Sequence, residues 1–156
     1  MIARRSKLKK PSDGSGHSQW PPEDFTLYLD ENLCNSTAIM ATLLKAGVRF
    51  ERHLGHFPRG TPDEAWLPKV GENQWVLLTA DKRIRYNLLE KRALARSSVR
   101  EFVFASGNLS GSDMAVALEA ALAKMRKMCR KIGPPFVAAI TRKGEVHLRW
   151  PKGRDA

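Results

Sequence analysis

The chain has little cysteine: two residues, Cys34 and Cys129, in 156. They lie far apart, each inside a segment that reads as helix. With no secretory signal ahead of them, they are expected as free thiols rather than a disulfide. No Cys/His cluster stands at zinc spacing either. The four histidines, His17, His53, His56 and His147, are scattered, and each is expected as a surface or loop side chain. Long apolar runs are also missing. The longest, such as Trp75 to Leu78, are strand-sized, and none could span a bilayer. The N-terminal stretch is basic (Arg4, Arg5, Lys7, Lys9, Lys10), but no apolar segment follows, so it does not read as a signal peptide. The expected location is the cytoplasm.

Acidic residues are scarce beside basic ones. There are 27 Lys and Arg against 16 Asp and Glu, a formal net charge of +11. A field of that sign favours polyanionic partners and says nothing of fold. The N-terminal segment accounts for only part of it, since basic residues also gather from Lys82 to Arg100 and from Lys124 to Lys131.

Residues 1–24 are polar, carry Pro11, Gly14, Gly16, Pro21 and Pro22, and offer little to bury. They are expected as a disordered basic arm. A single domain is expected over 25–150, with a short tail over 151–156.

Within the domain, strand and helix signals alternate. Phe25–Leu29 reads as a strand ending at Asp30-Glu31-Asn32. A helix from about Ser36 to Lys45 follows, with Ile39, Leu43 and Ala46 at helical spacing and Gly47 as its stop. Val48–His53 alternates as a second strand. Thr61-Pro62-Asp63-Glu64 reads as a helix start, with Thr61 as cap and Glu64 completing a capping box. Pro68 shortens or kinks that helix. Trp75–Thr79 reads as a strand buried on both faces, ending at Ala80-Asp81. A basic helix is predicted over about 82–92, a fourth strand over Val99–Phe104 and a long helix over Asp113–Lys131. The last helix carries an apolar stripe of Leu118, Leu122, Met125 and Cys129. A hairpin around Lys143-Gly144 ends the domain. This alternation predicts an α/β fold with a mostly parallel sheet, helices on both faces and a C-terminal hairpin.

In such a sheet, sites form beyond the carboxyl ends of the strands. Asp30 and Asp81 each follow directly on a strand. Asp63 opens the connection between the second and third strands. Glu64 is the rival there, but the expected capping box occupies it, which leaves Asp63. Three converging carboxylates repel one another, and Mg²⁺ or Mn²⁺, both preferring oxygen ligands, relieves this. The opposing reading is that Asp after a strand is a common helix cap. Glu31 and Asn108 are weaker candidates for the same site. Lys82, Arg83 and Arg85, beside Asp81, are the candidates for holding a nucleic-acid backbone.

Leu29-Asp30-Glu31-Asn32, Thr61-Pro62-Asp63-Glu64-Ala65-Trp66 and Val76-Leu77-Leu78-Thr79-Ala80-Asp81-Lys82 together resemble the PIN-like domains. They look most like the compact VapC-like toxins of type II toxin–antitoxin pairs. The resemblance spans about Phe25 to Trp150. It implies a three-layer α/β/α sandwich and a Mg²⁺- or Mn²⁺-dependent endoribonuclease acting on RNA and held by a cognate antitoxin. Asp30 matches the family's first-strand acid, Asp63 its mid-domain acid and Asp81 the acid after the third strand. The usual fourth acid has no clear match, with Asn108 and Asp113 as the nearest residues, so the choice between one metal and two stays open. So does the oligomeric state, a homodimer included. Two other readings stand beside this one. A phosphorylation-type receiver domain would use Asp30, Glu31 and Asp81, with Ser106 and Lys143. A non-catalytic nucleic-acid-binding module would explain the charge alone.

Overall fold

A computed structural model of the chain describes residues 25–80, 88–105, 107 and 109–151, with the backbone alone at 88–90. The expected arm over 1–24, the tail beyond Pro151, and Asp81, Lys82, Arg83, Arg85, Ser106 and Asn108 lie outside the described residues.

Four short buried stretches make the middle of the sheet. Strand β1 is Thr26–Leu29, β3 is Val76–Thr79, β4 is Arg100–Phe104 and β5 is Phe136–Ile140, and every residue in them is buried. β2 (Arg49–Arg52) and β6 (Val146–Trp150) are the edges, and each exposes part of its length. The order is β2-β1-β3-β4-β5-β6. All neighbours are parallel except β5 and β6, which close the sheet as an antiparallel hairpin. The α/β expectation therefore holds, hairpin included.

Alternation along the strands divides the core in two. Leu27, Leu29, Val76, Leu78, Phe102 and Phe104 face one way, onto helices α1 (Thr37–Ala46) and α4 (Gly111–Lys131). Tyr28, Leu77, Val103 and Val137 face the other way, onto α2 (Asp63–Glu72) and α3 (Leu88–Ser97). This is a three-layer sandwich. The stripe expected on α4 is buried as read. Both cysteines are free and buried, and burial pushes the Cys129 thiol up to about 12. Among the described residues, no helix is long and apolar enough to cross a membrane.

The helix ends show what local sequence controls. Ser36 caps α1 by accepting from the Ile39 N–H, and Gly47 closes it at φ 72°. Ala46, expected on the buried stripe, is exposed. Strand β2 stops at Arg52, and His53–Gly55 form a turn of 3₁₀ helix instead of extending it. α2 does not start as predicted. Its cap is Pro62, with no side-chain capping bond, and the Thr61 hydroxyl donates to the Pro58 carbonyl at 2.7 Å. Glu64 is exposed, so the capping box does not form. Pro68 sits inside α2, and the helix continues past it to Glu72. α3 extends to Ser97, beyond the predicted end at 92, because Ala93 and Leu94 still pack into the core.

α2 and α3 pack together, and at one point their backbones almost touch. A Cβ added at Gly71 would lie 1.7 Å from the Ser97 carbonyl oxygen. Alanine favours a helix over glycine by about 1 kcal/mol, but here the clash is with backbone and cannot rotate away. Gly71→Ala is expected to lower stability by about 1–3 kcal/mol, the usual cost of overpacking, measured by denaturant unfolding of both proteins.

Candidate functional site

Strand β1 is flanked by β2 on one side and β3 on the other. The chain runs outward from β1 to β2 in one direction, and from β3 to β4 in the opposite one. The sheet therefore has its topological switch point between β1 and β3, where crevices open at the carboxyl ends of strands.

Asp30 is the first residue past β1 and is buried. Its Oδ1 accepts from the Leu33 N–H at 3.0 Å, and its Oδ2 accepts from the Thr79 hydroxyl at the end of β3. The Asp30 carbonyl also takes the Leu33 and Cys34 N–H groups, at 3.1 and 2.8 Å. The segment after β1 thus turns tightly around this one residue, as Asp favours. Leaving a buried carboxylate oxygen without a donor costs at least roughly 1–3 kcal/mol, so these bonds fix its orientation as well as its place.

Glu31 is one-third exposed. Its Oε1 accepts from the Gly60 N–H at 3.1 Å, and its Oε2 lies 3.7 Å from Arg59 Nη1. Asp63 begins α2 and is half-buried. Trp66, one turn further along that helix, packs edge-on against His53 with ring centroids 5.3 Å apart. Residues three apart share a helix face, which directs Asp63 to the same side. Its negative charge accordingly acts on His53.

His53 is the residue that sequence reading missed. Expected as a surface or loop side chain, it is buried, with 1% of its surface exposed. Its Nδ1 is 2.6 Å from the Tyr28 hydroxyl, and Phe57 stacks on it at 5.7 Å. Its Nε2 lies 3.9 Å from Glu31 Oε1 and has no hydrogen-bond partner among the described residues. Burial lowers its pKa below the ordinary value. Glu31 and Asp63 oppose that shift, and His56 adds to it. The signal available in the sequence was position: His53 directly follows β2, at the same edge as Asp30. Thr79 was visible in the same way.

Asp30, Glu31 and Asp63 are placed around this edge by the described residues, while Asp81, Asn108 and the basic candidates Lys82, Arg83 and Arg85 lie outside them. Asp113 is engaged elsewhere. It forms the capping box of α4 with Ser110 and pairs with Arg142 at 3.6 Å. Among the described residues, no three His, Cys, Asp or Glu side chains form a ready-made metal site. The donors at hand are carboxylate oxygens, which suit Mg²⁺ or Mn²⁺ by type.

A family model described as a PIN like domain matches residues 26–106, more than half of the chain. The chain belongs to the PIN-like domain family. Comparison with curated proteins and with solved structures gives no match.

The lowered pKa of His53 has a consequence for stability. The native state holds the imidazole neutral, while the unfolded chain takes up a proton below about pH 6.5. Between the native value and that one, the unfolded state binds more protons, so stability falls as pH falls. Metal-free unfolding measured across this window is expected to show the decline, and His53→Gln is expected to flatten it. An equal slope in both proteins would mean that His53 does not contribute.

Proposed function

We propose that the protein is a metal-dependent endoribonuclease that cuts RNA phosphodiesters at the cleft around Asp30. The observation that carries this reading is the buried Asp30 carboxylate, held by donors from two chain segments at the switch point of a PIN-like sheet. A residue serving only as a cap would not need the second tie to Thr79. The net charge of +11 supports a polyanionic substrate.

In this reading Asp30, Asp63 and Asp81 hold Mg²⁺ or Mn²⁺, with Glu31 beside them and Asn108 as a further candidate. A divalent ion there would supply an activated water and neutralise charge on a phosphoryl oxygen. The chain's own residues do the rest. Leu33 and Thr79 fix the direction of the Asp30 carboxylate. Asp63 gains from the N-terminus of α2, where the helix dipole favours an anion. Glu31, partly exposed, can offer a further carboxylate oxygen to the ion. Lys82, Arg83 and Arg85 would neutralise the nucleic-acid backbone without reading its sequence.

The role of toxin, with an antitoxin as partner, rests on the VapC-like resemblance. The cytoplasm is the location that fits it. A receiver domain shares the strand order 2-1-3-4-5, but the PIN-like match and the antiparallel β6 weigh against it. Lys143, which that reading needs, is exposed in the β5–β6 turn. The next residue, Gly144, packs beside Ala117 and Ala120 of α4.

Purified protein is expected to cut single-stranded or structured RNA with Mg²⁺ or Mn²⁺ and not with chelator, and Asp30→Asn and Asp81→Asn to abolish cutting. Cleavage at the wild-type rate by either variant would remove that residue from the site. For the toxin role, expression should arrest growth, and the product of an adjacent reading frame should relieve the arrest.

A second measurement addresses the basic residues. Neutralising Lys82, Arg83 and Arg85 together is expected to weaken RNA binding. It should also flatten the dependence of log affinity on log salt by about 0.7 per lost phosphate contact. An unchanged slope would make them a solvated face only.

A further inference from the structure

We propose that Tyr28 and His53 form a relay that orients the carboxylate of Glu31 in the acidic cleft, with the Nε2–H of His53 as the donor. The inference rests on the nuclease reading above and adds two positioning residues to it.

Tyr28 and His53 are both buried, and the Tyr28 hydroxyl is 2.6 Å from His53 Nδ1. A buried phenol needs an acceptor for its proton, and Nδ1 is within reach. A phenol keeps that proton at neutral pH. Nδ1 therefore accepts, and the ring's own proton sits on Nε2. Phe57 on one face of the ring and Trp66 at its edge hold the imidazole in this orientation.

Nε2 then presents a buried N–H with no partner among the described residues. The nearest carboxylate is Glu31, whose Oε1 is 3.9 Å away, beyond a hydrogen bond. Glu31 sits among three donors. Gly60 and Arg59 approach it from the loop, and His53 approaches it from the core. A small rotation of the Glu31 side chain closes the last gap. The two loop donors differ from His53 in an important way. Arg59 carries a full positive charge and opposes a cation for the carboxylate. A neutral imidazole adds a directional bond without charge, so it can aim a carboxylate and leave it available to a metal. Partners of this kind commonly tune metal sites from outside the ligand shell.

The test uses the full chain, Mn²⁺ alone without RNA, and one fixed pH above the ordinary imidazole value. Mn²⁺ affinity is read by calorimetry, and the His53 tautomer by long-range ¹H–¹⁵N spectra. The wild type is expected to show the Nε2–H form. H53L should bind Mn²⁺ about 10–100-fold more weakly, the usual effect of losing such a partner. H53Q, whose amide N–H₂ can stand where Nε2 was, should restore binding. Y28F should weaken binding less than H53L and let the Nδ1–H form appear.

A wild type that binds no Mn²⁺ overturns the nuclease site and the relay together. A wild type that binds, with H53L equal to it, overturns the relay alone. So does a wild type in the Nδ1–H form, or H53Q as weak as H53L. Should H53L fail to fold, the wild-type tautomer and the Y28F affinity decide. An Nδ1–H wild type, or an unchanged Y28F, overturns the relay.

Discussion

The hydrogen bond from the Thr79 hydroxyl to the Asp30 carboxylate joins the ends of β1 and β3 at the switch point of the sheet. The parallel register Leu29↔Leu78 brings the two residues opposite each other. That register depends in turn on the apolar alternation that buries Leu27, Leu29, Val76 and Leu78 on one face. A slip by one residue would turn these side chains to the wrong layer. The same core that stabilises the sheet therefore sets the position of the carboxylate.

The opposite layer positions the acids on the other side of this edge. Tyr28 stacks with Trp66 at 5.6 Å and with Trp75 at 5.7 Å. Those contacts fix α2 against β1, and α2 carries Asp63. His53, Trp66 and Phe57 then pack where β2 gives way to the loop that approaches Glu31. Aromatic packing thus does for Asp63 and Glu31 what a hydrogen bond does for Asp30. The loop itself is held through its backbone, by the Gly60 N–H to Glu31.

Much of this was legible from residue patterns. Short apolar runs separated by amphipathic stretches define a parallel sheet, and Asp30 directly after β1 marks its carboxyl edge. Where the reading failed, the cause was contact between distant segments. Gly47 announced the end of α1. α2 and α3 instead end through Gln74 at φ 57° and Ser98 at φ 56°, residues that give little warning of a left-handed turn, and the predicted end of α3 fell short. Thr61 resembled a cap, yet its hydroxyl bonds backward to Pro58, so the reason for preferring Asp63 over Glu64 was wrong. What favours Asp63 in the structure is its side of α2, shared with Trp66. The alternation of Val48–His53 puts His53 on the same side of the strand as the charged Arg49 and Glu51, which reads as surface. Its bond to Tyr28, 25 positions earlier, and the Phe57 and Trp66 rings bring it inside.

The approach of Gly71 to Ser97 leaves no side chain between the two helices at that point. Side chains normally act as compliant spacers that absorb small shifts. Here backbone meets backbone, so displacement of α3 passes directly to α2 and to the carboxylate at its start.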